Sequence, residues 1–247
     1  MQETQIPKII HYCWFGSAPL PKSARRCIGS WRQFFPDYEI REWNESNFDV
    51  NAVPYTREAA ERRQWAFVSD YARFWILYNY GGLYFDTDVQ VIKSMDDVLS
   101  AGPFMGIERG VESVGVNPGL GLAAVPGMEL YKDVLDHYSS LRFVDERGER
   151  LPGTVVKHTT DVLKGHGFVE EDRVQRLAGV IIYPNDYFNP LDDATGRLGI
   201  TDNTRSIHFY SKTWIENYGP VRIWITRRLH RIFGIYGLQG LKKIIRH

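Results

Sequence analysis

The order strand, helix, strand in the first hundred residues predicts an α/β fold whose sheet has parallel members. Two further observations shape that expectation. No repeat and no linker divides the 247 residues, so one domain over residues 1–215 is expected, followed by a basic helical extension over 216–247. A carboxylate pair, Asp86 and Asp88, falls at a strand end, and open α/β sheets place their ligands at the carboxyl ends of strands.

The elements follow in order. Residues 6–15, IPKIIHYCWF, are β-branched and aromatic and stop at Gly16, the pattern of a short buried strand. Lys22–Phe34 has helical spacing. A second strand follows FPD, with Tyr38, Ile40 and Trp43 spaced for one face. One long helix is expected over residues 57–80, because Phe67, Tyr71, Phe74, Trp75 and Tyr78 recur as a buried stripe. Gly81–Gly82 end it. Then come LYFD, VQVIK and a helix start at SMDDVL, where Ser94 can cap and Asp96–Asp97 suit the first-turn dipole. Beyond Phe104 the pattern predicts strands near 104–108 and 119–125, helices near 127–141 and 153–165, a strand VIIY at 180–183, a polar loop to about residue 203, and a last strand SIHFY.

Composition excludes several classes. No run of about 18 apolar residues exists, so no spanning helix is expected. MQETQIPKII lacks the basic start and apolar region of a signal peptide, so a cytoplasmic location is expected. Cys13 and Cys27 are too few for a disulfide scaffold and are read as reduced. Net charge is zero, but Lys212–His247 holds eight Lys/Arg against Glu216, leaving −7 on residues 1–211. In PVRIWITRRLHRIF (220–233), Pro220 suits a first helical position. Val221, Trp224, Ile225, Leu229, Ile232 and Phe233 share helical spacing, with arginines mostly opposite. Two readings stand: an anchor at the inner surface of the plasma membrane, or a helix docked on the domain with its basic face solvated.

The stretch GGLYFDTDVQ (81–90) carries the chemistry. In an extended backbone Asp86 and Asp88 point to one side with Tyr84, while Phe85 and Thr87 face away. Two anions so close need a cation or donors to neutralise them. D-x-D alone is weak, since it also occurs as a solvated turn. Upstream, SDYAR places Asp70 and Arg73 on one helical face near the apolar stripe, where a plain surface ion pair would be misplaced. Mg²⁺ and Mn²⁺ prefer carboxylate oxygens and often share their coordination with substrate phosphates. The assembly therefore suits a diphosphate leaving group. The glycines of GVNPGLGLAAVPG (115–127) lack the G-K-[ST] of a phosphate loop and read as a turn-rich strand connection. No Cys/His zinc pattern exists.

IPKIIHYCWFG followed by SDYARFWILYNYGGLYFDTDVQVIKSMDDVL resembles the DxD-containing sugar-transferase family of glycosyltransferases. That family groups yeast α-1,6-mannosyltransferases with bacterial capsular polysaccharide transferases, and clostridial glucosylating toxins share a similar core. The likeness is continuous over residues 6–100 and patchier beyond, where HFYSKTW (208–214) resembles the closing His-to-Trp segment. It implies a GT-A fold with a mixed central sheet, a nucleotide-sugar donor, a divalent Mn²⁺ or Mg²⁺, and transfer with retention. Carried over by position, Asp88 resembles the principal metal ligand. Asp86 resembles the residue that reaches the ribose, the sugar or a metal-bound water. Asp70 and Arg73 resemble the pair that holds the donor sugar. Trp14 matches the aromatic that stacks on the base. Ser69, Tyr84, Thr87 and Asn117 match donor-contacting positions. His208 is a candidate metal ligand, Ser211 or Thr213 a candidate oxygen donor, and Trp214 a candidate cover for the diphosphate. Glu108 is placed either near the acceptor or in solvent, and LPGTVVKHTT (151–160) resembles the helix start after the acceptor region.

The implied function is transfer of a hexose to a saccharide acceptor, free or lipid-linked, in bacterial capsular or cell-surface polysaccharide synthesis. A UDP-sugar is the first donor and GDP-mannose the alternative; no nucleic acid is expected. Two other classes compete. A metal-dependent phosphohydrolase needs more clustered carboxylates and histidines than the chain offers. A carbohydrate-binding module accounts for the aromatics but not for Asp70, Arg73, Asp86 and Asp88 together.

Overall fold

The computed structural model describes residues 5–110, 113–211 and 220–233. β1 (Ile9–Cys13) is the hub of the N-terminal half. It pairs in parallel with β2 (Glu39–Trp43) on one side and with β3 (Gly82–Tyr84) on the other. α1 (Lys22–Phe34) lies between β1 and β2 in the chain and buries Cys27, Ile28 and Trp31. Trp31 donates its indole N–H to the Val89 carbonyl at 2.8 Å, so its burial leaves no donor unpaired. Trp43 does not share a face with Tyr38 and Ile40. It packs with Phe48, Trp75 and Tyr80 beneath one side of the sheet, while Tyr38 and Ile40 pack on the other. Period two requires this, since position 43 is an odd number of residues from both.

The expected long helix is two: α2 (Pro54–Glu61) and α3 (Trp65–Tyr80). Arg63 between them takes a left-handed φ of 56°, which an uninterrupted helix cannot hold. Pro54 starts α2 without cost at a position that needs no donor. Gly81 closes α3 with φ 62°, and Gly82 lies so close to β1 that a Cβ there would sit 2.5 Å from the Ile9 carbonyl oxygen. His11 pins this junction. Its Nε2 donates to the Gly81 carbonyl at 3.0 Å, and its Nδ1 accepts from the Trp43 indole at 3.0 Å. Burial pushes its pKa down to about 4, so it is a neutral core imidazole.

Further on, β4 (Val89–Val91) leads to α4 (Asp96–Ala101), where Ser94 Oγ accepts from the Asp96 N–H one position earlier than a standard cap. β5 (Phe104–Arg109), β6 (Val114–Val116) and β7 (Leu122–Ala124) form the middle of the sheet. α5 (Glu129–Ser139) and α6 (Val155–Gly165) cover one face. β8 (Gln175–Leu177) and β9 (Val180–Tyr183) follow, with a short α7 (Asn185–Phe188) and β10 (Ser206–His208). β6 and β8, three residues each, and α7, four residues, are too short for periodicity to register.

The main sheet runs β2-β1-β3-β7-β5-β9-β8, with β6 on β5, and β4 pairs with β10 in a separate ribbon. β1, β2 and β3 are mutually parallel, β7 opposes β3 and β5, and β9 is parallel to β5. Five strands therefore point the same way. Their carboxyl ends bring Trp14, Asp86, Glu108 and Asn185 to one edge, and the antiparallel β7 brings the 117–121 turn there too. α3 runs back along the sheet, so its first turns, with Asp70 and Arg73, reach the same edge.

Both cysteines are free and buried. Among the described residues, no helix is long and apolar enough to cross a membrane. α8 (Pro220–Phe233) meets the domain through Arg227, His230 and Arg231. Arg227 donates to the Asp193 carbonyl (3.1 Å), and Arg231 donates to the Thr195 and Gly196 carbonyls (2.6 Å each). His230 Nδ1 bonds the Ala194 carbonyl at 2.9 Å. Carbonyls of the 193–196 loop need donors, and arginine supplies several from one side chain. Trp224 and Ile225 are left 61% and 45% exposed.

Candidate active site

β3 ends at Tyr84, and the chain then turns rather than continuing extended. The Val89 N–H donates to the Asp86 carbonyl at 3.0 Å, closing a turn over 86–89. Tyr84 and Asp86 keep the period-two relation, and the Tyr84 hydroxyl donates to Asp86 Oδ1 at 3.0 Å. Asp88 is carried by the turn to a different set of partners. The two carboxylates are thus neighbours with separate neutralising environments, which is how they escape mutual repulsion.

Asp86 belongs with Asp70 and Arg73. Arg73 Nη2 stands 3.0 Å from Asp70 Oδ1 and 3.3 Å from Asp86 Oδ1. Its Nε donates to the Ser69 carbonyl, and its guanidinium lies 5.1 Å from the Tyr84 ring centre. The Arg73 and Asp70 side chains are only 4% and 9% exposed, so this is a buried charge cluster and not a surface pair. Burial pushes the Asp70 carboxyl up to about 7, with Arg73 pulling against it and Asp86 adding to it. Burial disfavours the charge on Arg73, yet Asp86, Tyr84 and Asp70 hold it in the charged form. Arg73 Nη1 is buried and has no partner, an unmet donor beside the carboxylates.

Asp88 is paired with β10 and the residues after it. Its Oδ1 is 3.1 Å from His208 Nε2, and its Oδ2 accepts from the Ser211 N–H at 2.7 Å. Burial works against both charges. His208 and Ser211 nevertheless hold the Asp88 carboxyl well below the usual carboxylate range, and Asp88, with Asp86 and Glu108, pushes His208 up to about 9. Ser211 contributes through its backbone N–H and its side-chain hydroxyl together. Tyr210 makes this possible: its left-handed φ of 52° turns the chain so that Ser211 faces Asp88. The Tyr210 ring lies 4.3 Å from the His208 ring, and its hydroxyl donates to Asn189 at 2.9 Å.

Among the described residues no three His, Cys, Asp or Glu side chains converge on one point. Asp88 and His208 come together, while Asp86 Oδ1 is committed to Arg73 and Tyr84. Once His208 Nε2 gives up its proton, the pair fits a divalent cation. A carboxylate oxygen and an imidazole nitrogen 3.1 Å apart have the spacing of adjacent ligands on bonds of about 2.1 Å at right angles.

Trp14 stands at the end of β1, half-buried, with its indole N–H on the Ala18 carbonyl at 2.5 Å. The Ser69 hydroxyl bonds back to the Trp65 carbonyl within α3, and Thr87 sits half-exposed in the turn. Asn117 is committed to the fold: Oδ1 accepts from the Gly119 N–H at 2.7 Å and Nδ2 donates to Glu108. Glu108 is thereby placed beside the site. Trp214 and Thr213 lie outside the described residues. Sequence reasoning missed two residues that shape the site, Gly119 and Tyr210. A Cβ on Gly119 would meet Asp86 Oδ2 at 2.2 Å, so this glycine lets the 117–120 turn back the carboxylate. The glycine-rich run was visible in the sequence; its target was not.

A mixed sheet whose carboxyl edge carries a D-x-D turn against a buried Asp–Arg pair is the GT-A-type fold. A solved structure described as "PaToxG Glycosyltransferase" shares it, with a TM-score of 0.50 at 18% identity over 65% of this chain and 69% of that one. Residues 21–105 match the family model described as "Glycosyltransferase sugar-binding region containing DXD motif". Inositol phosphoceramide mannosyltransferase 3 of Schizosaccharomyces pombe is 32% identical over 111 residues, 40% of this chain and 28% of that protein. An uncharacterized glycosyltransferase of Acanthamoeba polyphaga mimivirus is 31% identical over 108 residues, 40% of this chain and 42% of that one. The chain spans less than half the length of these relatives.

Proposed function

We propose that this chain is a metal-dependent, retaining glycosyltransferase that moves a hexose from a nucleotide sugar to a saccharide acceptor of a cell-surface polysaccharide or glycolipid. The observation that carries the reading is the buried Asp70–Arg73–Asp86 cluster abutting the Asp88–His208 pair at the carboxyl edge. A buried ionic cluster with an unmet guanidinium N–H costs stability and is expected where a polar ligand completes it.

Asp88 and His208 would hold Mn²⁺ or Mg²⁺, with Asp86 alongside. When bound, the cation neutralises charge developing on the departing diphosphate. Trp14 offers an indole face to the base. Arg73 Nη1 supplies the unmet donor to the sugar or its phosphate, and Asp70, poised near neutrality, exchanges hydrogen bonds with a sugar hydroxyl. These contacts fix the sugar so that the acceptor hydroxyl approaches on the face the phosphate leaves. The acceptor oxygen–carbon bond forms, the carbon–phosphate-oxygen bond breaks, and the proton passes to the leaving phosphate oxygen. A UDP-sugar is the first donor to test. GDP-mannose is the second, favoured by the mannosyltransferase names of the yeast relatives.

α8 extends the reading to a membrane surface. With Arg227, His230 and Arg231 docked, the outward face presents Trp224, Ile225, Arg222 and Arg228, suited to anionic lipid and to a lipid-linked acceptor. Vesicles of anionic phospholipid should bind the chain and bind Trp224→Ala/Arg228→Ala weakly; equal binding removes this part. For the core reading, incubation with UDP- and GDP-sugars plus Mn²⁺ should release nucleoside diphosphate. Asp88→Ala should lower the release by about a hundredfold. Release of inorganic phosphate instead would indicate a phosphohydrolase, and wild-type turnover in Asp88→Ala would refute the assignment.

A further inference from the structure

A cleft of about 390 Å³ opens at the same edge of the molecule, lined by Tyr55, Phe67, Arg142, Leu151, Gly153 and His158 among others. Its walls are the two arms that also carry the site. One wall is the start of α3, where Phe67 stands three residues before Asp70 and so shares its side of the helix. The other is α6, which is tied to the strand leading into Asn117 and Gly119. Thr160 Oγ1 accepts from the Val116 N–H at 2.9 Å, and a Cβ on Gly115 would meet Val156 at 2.9 Å. A sugar held by Asp70 and Arg73 on one side and backed by the 117–120 turn on the other would therefore face this cleft. Tyr55 bridges the two regions. Burial raises its hydroxyl above the ordinary range, and the charges of Asp70 and Arg73 both act on it.

The lining has the chemistry of a sugar site: apolar side chains with a few placed polar groups. Phe143 lies 5.0 Å from Phe67, tilted, and 5.6 Å from Tyr55, edge-on, ring centre to ring centre, an aromatic cluster that forms the floor of the cleft. His158 supplies the polar group. Its Nδ1 is bonded to His137 Nε2 at 3.0 Å, and one of the two nitrogens must carry the proton, so the bond sets both tautomers together. Burial pushes His158 down to about 4 and lowers His137, leaving a neutral pair. The outer nitrogen of His158 lies against Gly153, where a Cβ would come within 2.4 Å of it. The glycine keeps that nitrogen uncovered at the cleft.

We propose that this cleft is the acceptor subsite and takes a neutral pyranose ring, its C–H edge against the apolar lining and one hydroxyl on His158 Nε2. The inference rests on the transferase reading and adds the acceptor to it. The test uses the full chain with Mn²⁺ and UDP or GDP, probed with methyl α-D-mannopyranoside, methyl α-D-glucopyranoside and maltose by saturation-transfer NMR. Ring protons of at least one sugar should receive saturation in the wild type. Ser140→Trp, placed at the exposed end of α5 to fill the cleft without touching its core, should abolish the signal. His158→Leu should weaken binding by about tenfold, the loss of one hydrogen bond to a buried group. Nucleotide affinity, measured in parallel, should stay unchanged in both variants. No saturation of any of the three sugars in a wild type that binds nucleotide, or saturation that persists in both variants, overturns the cleft assignment alone. Failure of the wild type to bind either nucleotide overturns the transferase reading and this one with it.

Discussion

Arg73 is the residue on which the buried cluster turns, and replacing it with Met tests the electrostatics directly. The substitution keeps most of the volume and removes the cation from between Asp70 Oδ1 (3.0 Å) and Asp86 Oδ1 (3.3 Å). Breaking one partner out of a buried ion pair costs about 3–5 kcal/mol. Asp70, already pushed up to about 7, then rises further and takes a proton at neutral pH, which moderates the loss toward about 3 kcal/mol. For a chain of this size that is a fall in Tm of about 6–12 °C. The pH dependence has a definite sign. An acid whose folded pKa lies above its unfolded value makes the protein less stable as pH rises through that range, so the deficit of Arg73→Met should be larger at pH 8 than at pH 5. Urea denaturation of wild type and variant at both pH values measures this. A deficit under about 1 kcal/mol, equal at the two pH values, is what a solvated surface pair would give, and it would refute the buried-cluster account.

Three other outcomes are expected. His11 is neutral in the fold with a pKa near 4, against 6.5 unfolded, so its contribution is complete above about 6.5 and is lost as pH falls toward 4. The loss amounts to about 3 kcal/mol, and His11→Gln should lose that part of the slope in urea titrations at pH 7, 5 and 4; an unchanged slope would place the imidazole in solvent. Gly119→Ala pushes a Cβ into Asp86 Oδ2, now 2.2 Å from that position, and should cut nucleotide release by about a hundredfold through displaced carboxylate geometry. Full activity would mean that the turn is not the backing of Asp86. Tyr210→Ala removes both the ring against His208 and the bond to Asn189, and should weaken Mn²⁺ binding about tenfold by paramagnetic titration, while Tyr210→Phe, which keeps the ring, stays nearer wild type. Equal affinities in all three would make Tyr210 a bystander.

The sequence made the cluster's membership legible wherever partners are close along the chain. Asp70 and Arg73 share a helix face at i, i+3, and Tyr84 and Asp86 share a strand face at i, i+2, because local backbone geometry dictates those relations. It failed at one step within the same motif: period two was carried through to Asp88, but the chain turns after Asp86, and the turn is closed by a Val89–Asp86 hydrogen bond that no residue type signals. The break between α2 and α3 was hidden for a related reason. RRQ reads as helical by propensity, and only the packing of both helices against the body of the domain places Arg63 in a left-handed conformation. For the extension, spacing alone revealed an amphipathic helix. Which face docks was decided by the carbonyls of the 193–196 loop, which take arginine donors and leave Trp224 outside.

By itself, then, the sequence determined the α/β order, the resemblance to DxD transferases and the identities of the charged residues at the site. Tertiary structure decided which of them meet. Asp88 and His208 are 120 residues apart, as Asp86 and Gly119 are 33, and their meeting depends on strand order and turn closure across the whole sheet. Short-range geometry repeats with the backbone's own period and can be read from residue types. Long-range contact is set by how the elements pack, and that is a property of the folded chain alone.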